Sequence, residues 1–486
     1  MSVESNNSES QYTNQCQITK CQVVKHDGQE DNLAPDMILG LFTRESLLSP
    51  FISGSIIISD SANWLNGSNP VEGGEKVKIE VKTPVKEEAE SYEYRIWKIG
   101  NRVSLNNKQA YTLALIAEEA IINEGTRVIG RIPRGGQNEE EVPEMSITDI
   151  VTKLVREELH STKPIYSQPT LFKQVVVGAN RRPFDIICKL ANKSVPTTSV
   201  NTDTTNTSSE TKEVVTGSAG FFFWETKRGY NFFSVDALCD EVGGKWSSPS
   251  LISEAHGVYK EKVANVEGVD SRSIISKIKF QSEIDIMSAL RTGKYSSNMV
   301  FFNHTTGKYT EYQYKASESY KNMAHLGNQS KISEMMIGDI HFENQPTRLL
   351  TFVIDHEKWF NNAGIADPED LSNPENPSVF ADRNKYFVAQ TIARKEMLRN
   401  QECRMEIPGD NTICAGDKVE IEVQKKAADE VKKDDPIDVE SSGVYLVRDV
   451  EHGYFFSEGT SGTVITTLQL FRDSFGMKDK ETTHGQ

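Results

Sequence analysis

Two carboxylates held about 5 to 10 Å apart can cleave a glycosidic bond, one as acid and the other as base or nucleophile. The acids that invite this test are Glu225, beside the run Phe221-Phe222-Phe223-Trp224, and Asp236, Asp240 and Glu241 downstream. Phe223, Trp224 and Tyr230 would then form a platform for stacking a sugar. The competing reading is a hydrophobic hairpin packed into a core with its acids in solvent. It is the better one, because 70 Asp and Glu residues guarantee such neighbours by chance. Phosphate chemistry fares no better. Gly244-Lys245 runs into Trp246, and Gly293-Lys294 and Gly307-Lys308 each run into Tyr, so no phosphate-cradling loop is formed. His356-Glu357 lacks a second histidine one helical turn on. No G-x-S-x-G elbow occurs, and Gly54-Ser55-Ile56 lies in a strand. His256, His304 and His452 are dispersed and read as structural. The six cysteines are Cys16, Cys21, Cys188, Cys239, Cys403 and Cys414, without the paired spacing of structural zinc. They read as reduced, mostly buried thiols. Cys16 and Cys21 stand five apart on a strand, which puts them on opposite faces. No residue is therefore named as catalytic, cofactor-binding or metal-ligating, no cofactor is expected, and the chain reads as a non-enzyme.

The chain has 486 residues, of which 37% are hydrophobic and 26% charged, enough apolar material for several cores. Its most apolar runs, such as Ile56 to Ile58, fall far short of the ~20 residues that span a bilayer, so no membrane anchor is expected. The first ten residues show no secretory signal. Lys plus Arg is 54 against 70 acids, a net charge of -16. A basic stripe of the kind that grips phosphates is absent. The Asn-x-Ser/Thr triplets at Asn66, Asn192, Asn303 and Asn328 read as chance.

Alternation predicts strands at Gln17–Val24, Ile52–Ser59, Lys76–Lys82, Tyr92–Ile99 and Tyr111–Ile116. Ser146 or Thr148 caps a helix with Ile147, Ile150, Val151, Leu154 and Val155 on one face. Pro183 opens a second helix with Phe184, Ile187, Leu190 and Ala191. A Thr/Ser/Asn-rich stretch, 194–219, reads as a long exposed loop. Gly220–Glu225 and Tyr230–Ser234 form a hairpin turning at Gly229. A short helix is predicted over 282–291, a hairpin over 298–317, a linker over 367–376 and a longer helix over 381–400. The chain then returns to β over 403–473. Gly73-Gly74-Glu75-Lys76-Val77-Lys78-Ile79-Glu80-Val81-Lys82 resembles Ala415-Gly416-Asp417-Lys418-Val419-Glu420-Ile421-Glu422-Val423-Gln424. Tyr94–Ile99 then parallels Tyr445–Val450, and Tyr111–Leu115 parallels Thr466–Leu470. One β unit thus occurs twice, the second copy interrupted by an acidic insert, 427–442, expected to be a solvated loop.

Four sets of segments resemble a known family. They are SPFISGSIIISDS (49–61) with GGEKV (73–77); GFFFWET (220–226) with GYNFFSVD (229–236); GKYSS (293–297) with FFN (301–303) and KYT (308–310); and PGD (408–410), GDKV (416–419), GVYLV (443–447), VEH (450–452) and LQLFRD (468–473). In this order they are similar to the central baseplate hub protein of contractile-tailed phages, whose fold is shared with the hub part of type VI secretion spikes. The resemblance implies an α+β, mainly β, fold: two similar tail-tube-like β-barrels with an inserted helical and mixed section. The domains it implies are a polar arm (1–14), a first barrel (15–132), a helical section with the Thr/Ser-rich loop and aromatic hairpin (133–240), a mixed insert (241–330), a connecting segment and linker (331–380), a helix plus second barrel (381–476) and a polar tail (477–486). It also implies a homotrimer whose six barrels form a pseudo-sixfold ring, adapting a sixfold tail tube to a trimeric spike. The implied partners are the central spike protein, the tail tube or tube-initiator protein, the tape-measure protein and the baseplate wedges. DNA would pass through the bore without specific binding. The place would be the virion tail baseplate, assembled in the host cytoplasm. A hub module of another contractile injection system and a carbohydrate-active β protein remain the alternatives.

Overall fold

The computed structural model describes residues 14–477, apart from 134–144, 197–217, 240–255, 262–270, 329–335, 354–376, 428–435 and the positions 68, 85, 172, 303, 305, 306, 308, 321, 322, 459 and 460. Asp240, Glu241, His356, the linker and most of both low-complexity loops lie outside the described residues. The chain is mainly β with helical sections.

The first unit is built from β1 (Gln15–Val24), β2 (Ile38–Ser46), β3 (Ser53–Asp60), β4 (Lys76–Thr83), β5 (Lys86–Leu105) and β6 (Lys108–Ile116). Strict alternation in β3 and β4 puts every second side chain inside, as a period of two requires. Cys16 and Cys21 correct the reading of opposite faces. A bulge between Ile18 and Lys20 shifts the alternation of β1, so both thiols enter the same core. Among the six free cysteines only Cys188 is exposed. Helix α1 (Glu118–Gly125) follows, then α2 (Ile147–Lys153) and α3 (Pro183–Ala191). Of the two candidate caps it is Ser146 that acts, its hydroxyl accepting from the Asp149 amide. The expected apolar positions of α2 and α3 are all buried.

The aromatic hairpin is β7 (Phe221–Thr226) and β8 (Gly229–Ser234), followed by α4 (Val235–Cys239). Every residue of β7 and β8 is buried. One face packs Phe221, Phe223, Tyr230 and Phe232 onto α2 and α3. The other packs Phe222, Trp224 and Phe233 onto the second β unit. Burial on both faces is why these strands read as continuous apolar runs without alternation.

The second unit contains β9 (Val258–Glu261), β10 (Ile274–Ile275) and β11 (Lys277–Glu283). An insert then intervenes, with α5 (Ile286–Thr292), β12 (Ser296–Phe302), β13 (Tyr309–Lys315), β14 (Arg348–Val353) and α6 (Pro377–Met397). Helix α5 starts later than expected, because its cap is Asp285, which accepts from the Ser288 amide. The unit resumes with β15 (Gln401–Pro408), β16 (Lys418–Glu422), β17 (Gly443–Glu458) and β18 (Ser461–Arg472).

The expected repeat is present strand by strand. The first unit orders its strands β2-β3-β6-β5-β4, and the second β11-β15-β18-β17-β16. The registers agree as well. Val77 pairs with Tyr94 as Val419 does with Tyr445. Ile96 pairs with Leu115 as Val447 does with Leu470, and in both units the next residue, Trp97 or Arg448, bulges out. The Gly74 amide donates to the Ile96 carbonyl as that of Gly416 does to Val447, and the Ile96 amide donates back to the Glu75 carbonyl as that of Val447 does to Asp417. Even the buried cap recurs: Glu75 accepts from the Glu72 amide, and Asp417 from that of Cys414.

The units interlock. The outer part of the β17–β18 hairpin leaves its own unit and enters the first, where β17 pairs with β2 and β18 with β1. This closes a pairing circuit β2-β3-β6-β5-β4-β1-β18-β17, with Tyr454, Phe456 and Val464 in the first core.

Candidate functional site at the junction of the two β units

The structure places the candidate acids of the aromatic hairpin far from solvent, which corrects the expectation that they face water. Glu225 is fully buried; it accepts from the Ile52 amide at 3.0 Å and from Lys163 Nζ at 2.5 Å. Lys163 also binds Glu119 at 2.6 Å. Burial pushes the Glu225 carboxyl up to about 7, against the pull of the Lys163 ammonium. Asp236 accepts from the Ser218 amide at 2.7 Å and from Arg394 Nε at 3.1 Å. Phe223 stacks on Tyr230 at 5.4 Å, and both rings are buried, so no face is left for a sugar. A substrate has no route to either acid. What this arrangement does is pin the hairpin to β3 on one side and to α6 on the other.

A second polar cluster sits where the hairpin turn enters the junction. Glu45 of β2, buried, accepts from the amides of Lys227 at 2.8 Å and Ala415 at 3.1 Å. Arg228 grips Asp417 with two bonds of 2.8 and 3.0 Å and donates to the Thr412 carbonyl. A planar guanidinium against a carboxylate fixes orientation as well as distance. Trp224 Nε1 donates to the Ala415 carbonyl at 2.9 Å. Gly416 lies beneath that ring with φ of 91°, and a Cβ there would stand 2.7 Å from the indole. His452 is buried between Thr466 and the Ile413 carbonyl, and burial lowers its pKa to about 3, so it is neutral. His256 and Thr412 contact Asp410 and, despite burial, hold its carboxyl well below the usual range.

A third cluster ties the insert to the second unit. Arg394 is fully buried. It contacts Asp236, Asp473 at 2.6 Å and the Ala324 carbonyl. His325 Nδ1 lies 2.7 Å from Asp473, and the Leu326 amide donates to the same carboxylate. Burial opposes ionisation, yet Arg394 and His325 hold the Asp473 carboxyl well below its ordinary value. The sequence carried one overlooked signal: Arg394 sits on α6 within the apolar series Ala389, Ala393, Met397. A cation in such a stripe needs a buried anion, and its partners, Asp236 and Asp473, are both distant in the sequence.

At the surface, β2 and β17 join the units through seven residue pairs, Gly40 to Ser46 against Phe455 to Asp449. Arg44 pairs with Glu451 there, and Ser46 donates to Asp449. A cavity of about 310 Å³ opens beside them, between Ser49, Phe51, Arg404 and Gln469. Among the described residues no group of three or more His, Cys, Asp or Glu could hold a metal ion. The polar groups here join two sets of strands that share one order.

No protein-family model matches the chain, and no characterised protein matches it in sequence. Among solved structures it is similar to the 43 kDa tail protein of prophage MuSo2 from Shewanella oneidensis, at 8% identity over 93% of this chain and 98% of that one, with a TM-score of 0.48. It is similar to a tail protein from Neisseria meningitidis MC58, at 13% identity over 94% and 99%, with a TM-score of 0.46. It is also similar to an E. coli component of the type VI secretion system described as structurally similar to T4 bacteriophage tail proteins, at 9% identity over 95% and 79%, with a TM-score of 0.42. These neighbours are two phage tail proteins and a type VI secretion component.

Proposed function

We propose that this chain is a structural subunit of a contractile-tail baseplate: its central hub, acting as a homotrimer that adapts a sixfold tube to a threefold spike. The observation that carries the reading is the repeat itself. One chain holds the same five strands twice, in one order and one register. Each set would serve as a tail-tube-like β-barrel. Three copies of a doubled unit offer six near-equivalent docking surfaces, and a head-to-tail contact closes into a ring when each step turns about 60°. One face would then meet the tail tube or its initiator and the tape-measure protein. The other face, bearing the inserts, would seat a trimeric spike, with the wedges around it.

The net charge of -16 per chain fits a bore that DNA crosses without sticking, since phosphates are repelled within about 8 Å of acidic walls at physiological salt. A hub module of another contractile injection system would differ in setting rather than in physics. A carbohydrate-active role finds no support, because Glu225 and Asp236 are closed off. The test is the solution mass of the full chain by light scattering across a concentration series. A trimer is expected. A stable monomer at tens of micromolar would overturn the reading.

A further inference from the structure

The junction inside the chain has a counterpart that is left open. In the second unit, β17 runs past its partner β16 and its free edge is covered by β2 over seven pairs. In the first unit, β5 likewise runs past its partner: its pairing with β4 ends at Arg95, while β5 continues to Leu105 along β6. Among the described residues no strand covers the outer edge of Lys98–Leu105. The strand equivalent to β2 is β11, which pairs with β15 on one side and, among the described residues, with no strand on the other. One chain thus carries both halves of its own junction a second time, unjoined.

Exposure agrees with the pairing pattern. Leu41 and Thr43 of β2 are 1% and 2% exposed beneath β17. Ile278 and Phe280, their counterparts on β11, are only half-buried. Val450 of β17 is 1% exposed, and its counterpart Ile99 is half-buried. Trp97 and Val103 on β5 stand 54% and 53% exposed. An open edge of this length with apolar residues beside it is a template for another strand.

We propose that β11 of one copy of this chain pairs antiparallel with Lys98–Ser104 of the next copy, repeating between subunits the β2–β17 joint that lies within each. The proposal rests on the hub reading and names its subunit contact. A detail of register supports it. Relative to the internal joint, β5 carries one extra residue between Gly100 and Val103. Strand β11 carries one extra residue between Phe280 and Ser282. Neither β17 nor β2 has a bulge at the matching place. Gly100 faces Ser282 when Glu451 facing Arg44 is carried across, and Val103 faces Lys279 when Gly453 facing Phe42 is. The two extra residues therefore fall opposite each other and cancel, so a single register runs through the whole contact. A lone bulge on either edge would have thrown every later side chain to the wrong face. The contact is heterologous, so three copies use three internal and three external joints to close the ring.

The experiment is disulfide trapping in the full chain with Cys188→Ser, which removes the exposed thiol. Val103→Cys with Lys279→Cys puts two cysteines directly opposite each other across the proposed contact, within the roughly 4.4–6.8 Å between Cα atoms that a disulfide needs. Ser104→Cys with Ile278→Cys tests the next pair, so the result does not hang on one variant. Light scattering on the same samples before oxidation gives the mass. Covalent trimers from both double variants, and none from Val103→Cys alone or from the mismatched Val103→Cys with Ile278→Cys, are expected. A trimer that gives no cross-link in either pair overturns this contact and leaves the hub reading standing. Dimers from Val103→Cys alone mean a two-fold contact and overturn it as well. A monomeric parent chain overturns both.

Discussion

Arg394 offers the sharpest test of how the sections are tied together. It is fully buried and ends on two carboxylates and a carbonyl, from α4, from the segment after β18 and from the insert. Arg394→Met keeps the volume and the helix while removing the charge. Asp473, itself fully buried, then keeps His325 and the Leu326 amide but loses its guanidinium. Breaking a buried pair from one side costs about 3–5 kcal/mol, because the remaining charge is left without its partner. At about 1 °C per kcal/mol for 486 residues melting together, the melting transition should fall by roughly 3–5 °C at fixed protein concentration. The direction with pH follows from linkage. In the parent the Asp473 pKa is depressed, so its contribution is present above the ordinary carboxylate range and lost as pH falls. In the variant the carboxylate prefers its proton, so the deficit should be larger at pH 7 than at pH 4. Arg394→Met with Asp473→Asn should recover part of the loss, since neither charge remains. A loss below about 1 kcal/mol, or a double variant whose losses simply add, would refute the reasoning.

His452 is buried neutral, with its pKa lowered to about 3, so its contribution is complete above the unfolded value near 6.5 and declines as pH falls towards 3. Urea titrations should show about 2 kcal/mol lost between pH 6.5 and pH 5 from this group, and His452→Gln should flatten that slope; an unchanged slope would count against burial as its cause. Gly229→Ala should destabilise by about 1–3 kcal/mol, because φ is 132° and the new Cβ would lie 2.6 Å from the Pro164 carbonyl oxygen; a neutral effect on the melting temperature would contradict the tight turn. Glu225→Ala and Asp236→Ala should each lower stability by about 1–3 kcal/mol while a polysaccharide assay registers no hydrolysis in parent or variant. Hydrolysis in the parent that either change abolishes would revive the enzyme reading.

Much of the β structure was legible because its signal is local. Lys76–Lys82 alternates strictly, and the same pattern at Lys418–Glu422 announced the repeat before any pairing was known. Ser146 and Pro183 marked helix starts by chemistry confined to one turn. Apart from the start of α5, set by its own cap Asp285, the misreadings were non-local. A bulge in β1 is set by its partner β4, so the alternation rule put Cys16 and Cys21 on opposite faces when both belong to one core. Glu225 and Asp236 read as solvent-facing in sequence because their cations, Lys163 and Arg394, are distant in the chain. Strand β5 was read as Tyr92–Ile99, but it runs to Leu105 through exposed positions that lack a buried face. That unpatterned extension is where the open edge lies, so the site most relevant to assembly was the least visible in composition or periodicity.

The most direct measurement is a cryo-electron microscopy reconstruction of the purified particle without imposed symmetry. Three copies are expected around a central hole, with the two repeated units at equal radius and alternating in steps of about 60° about one axis. Repeated units at unequal radii, or related by no common axis, would contradict it.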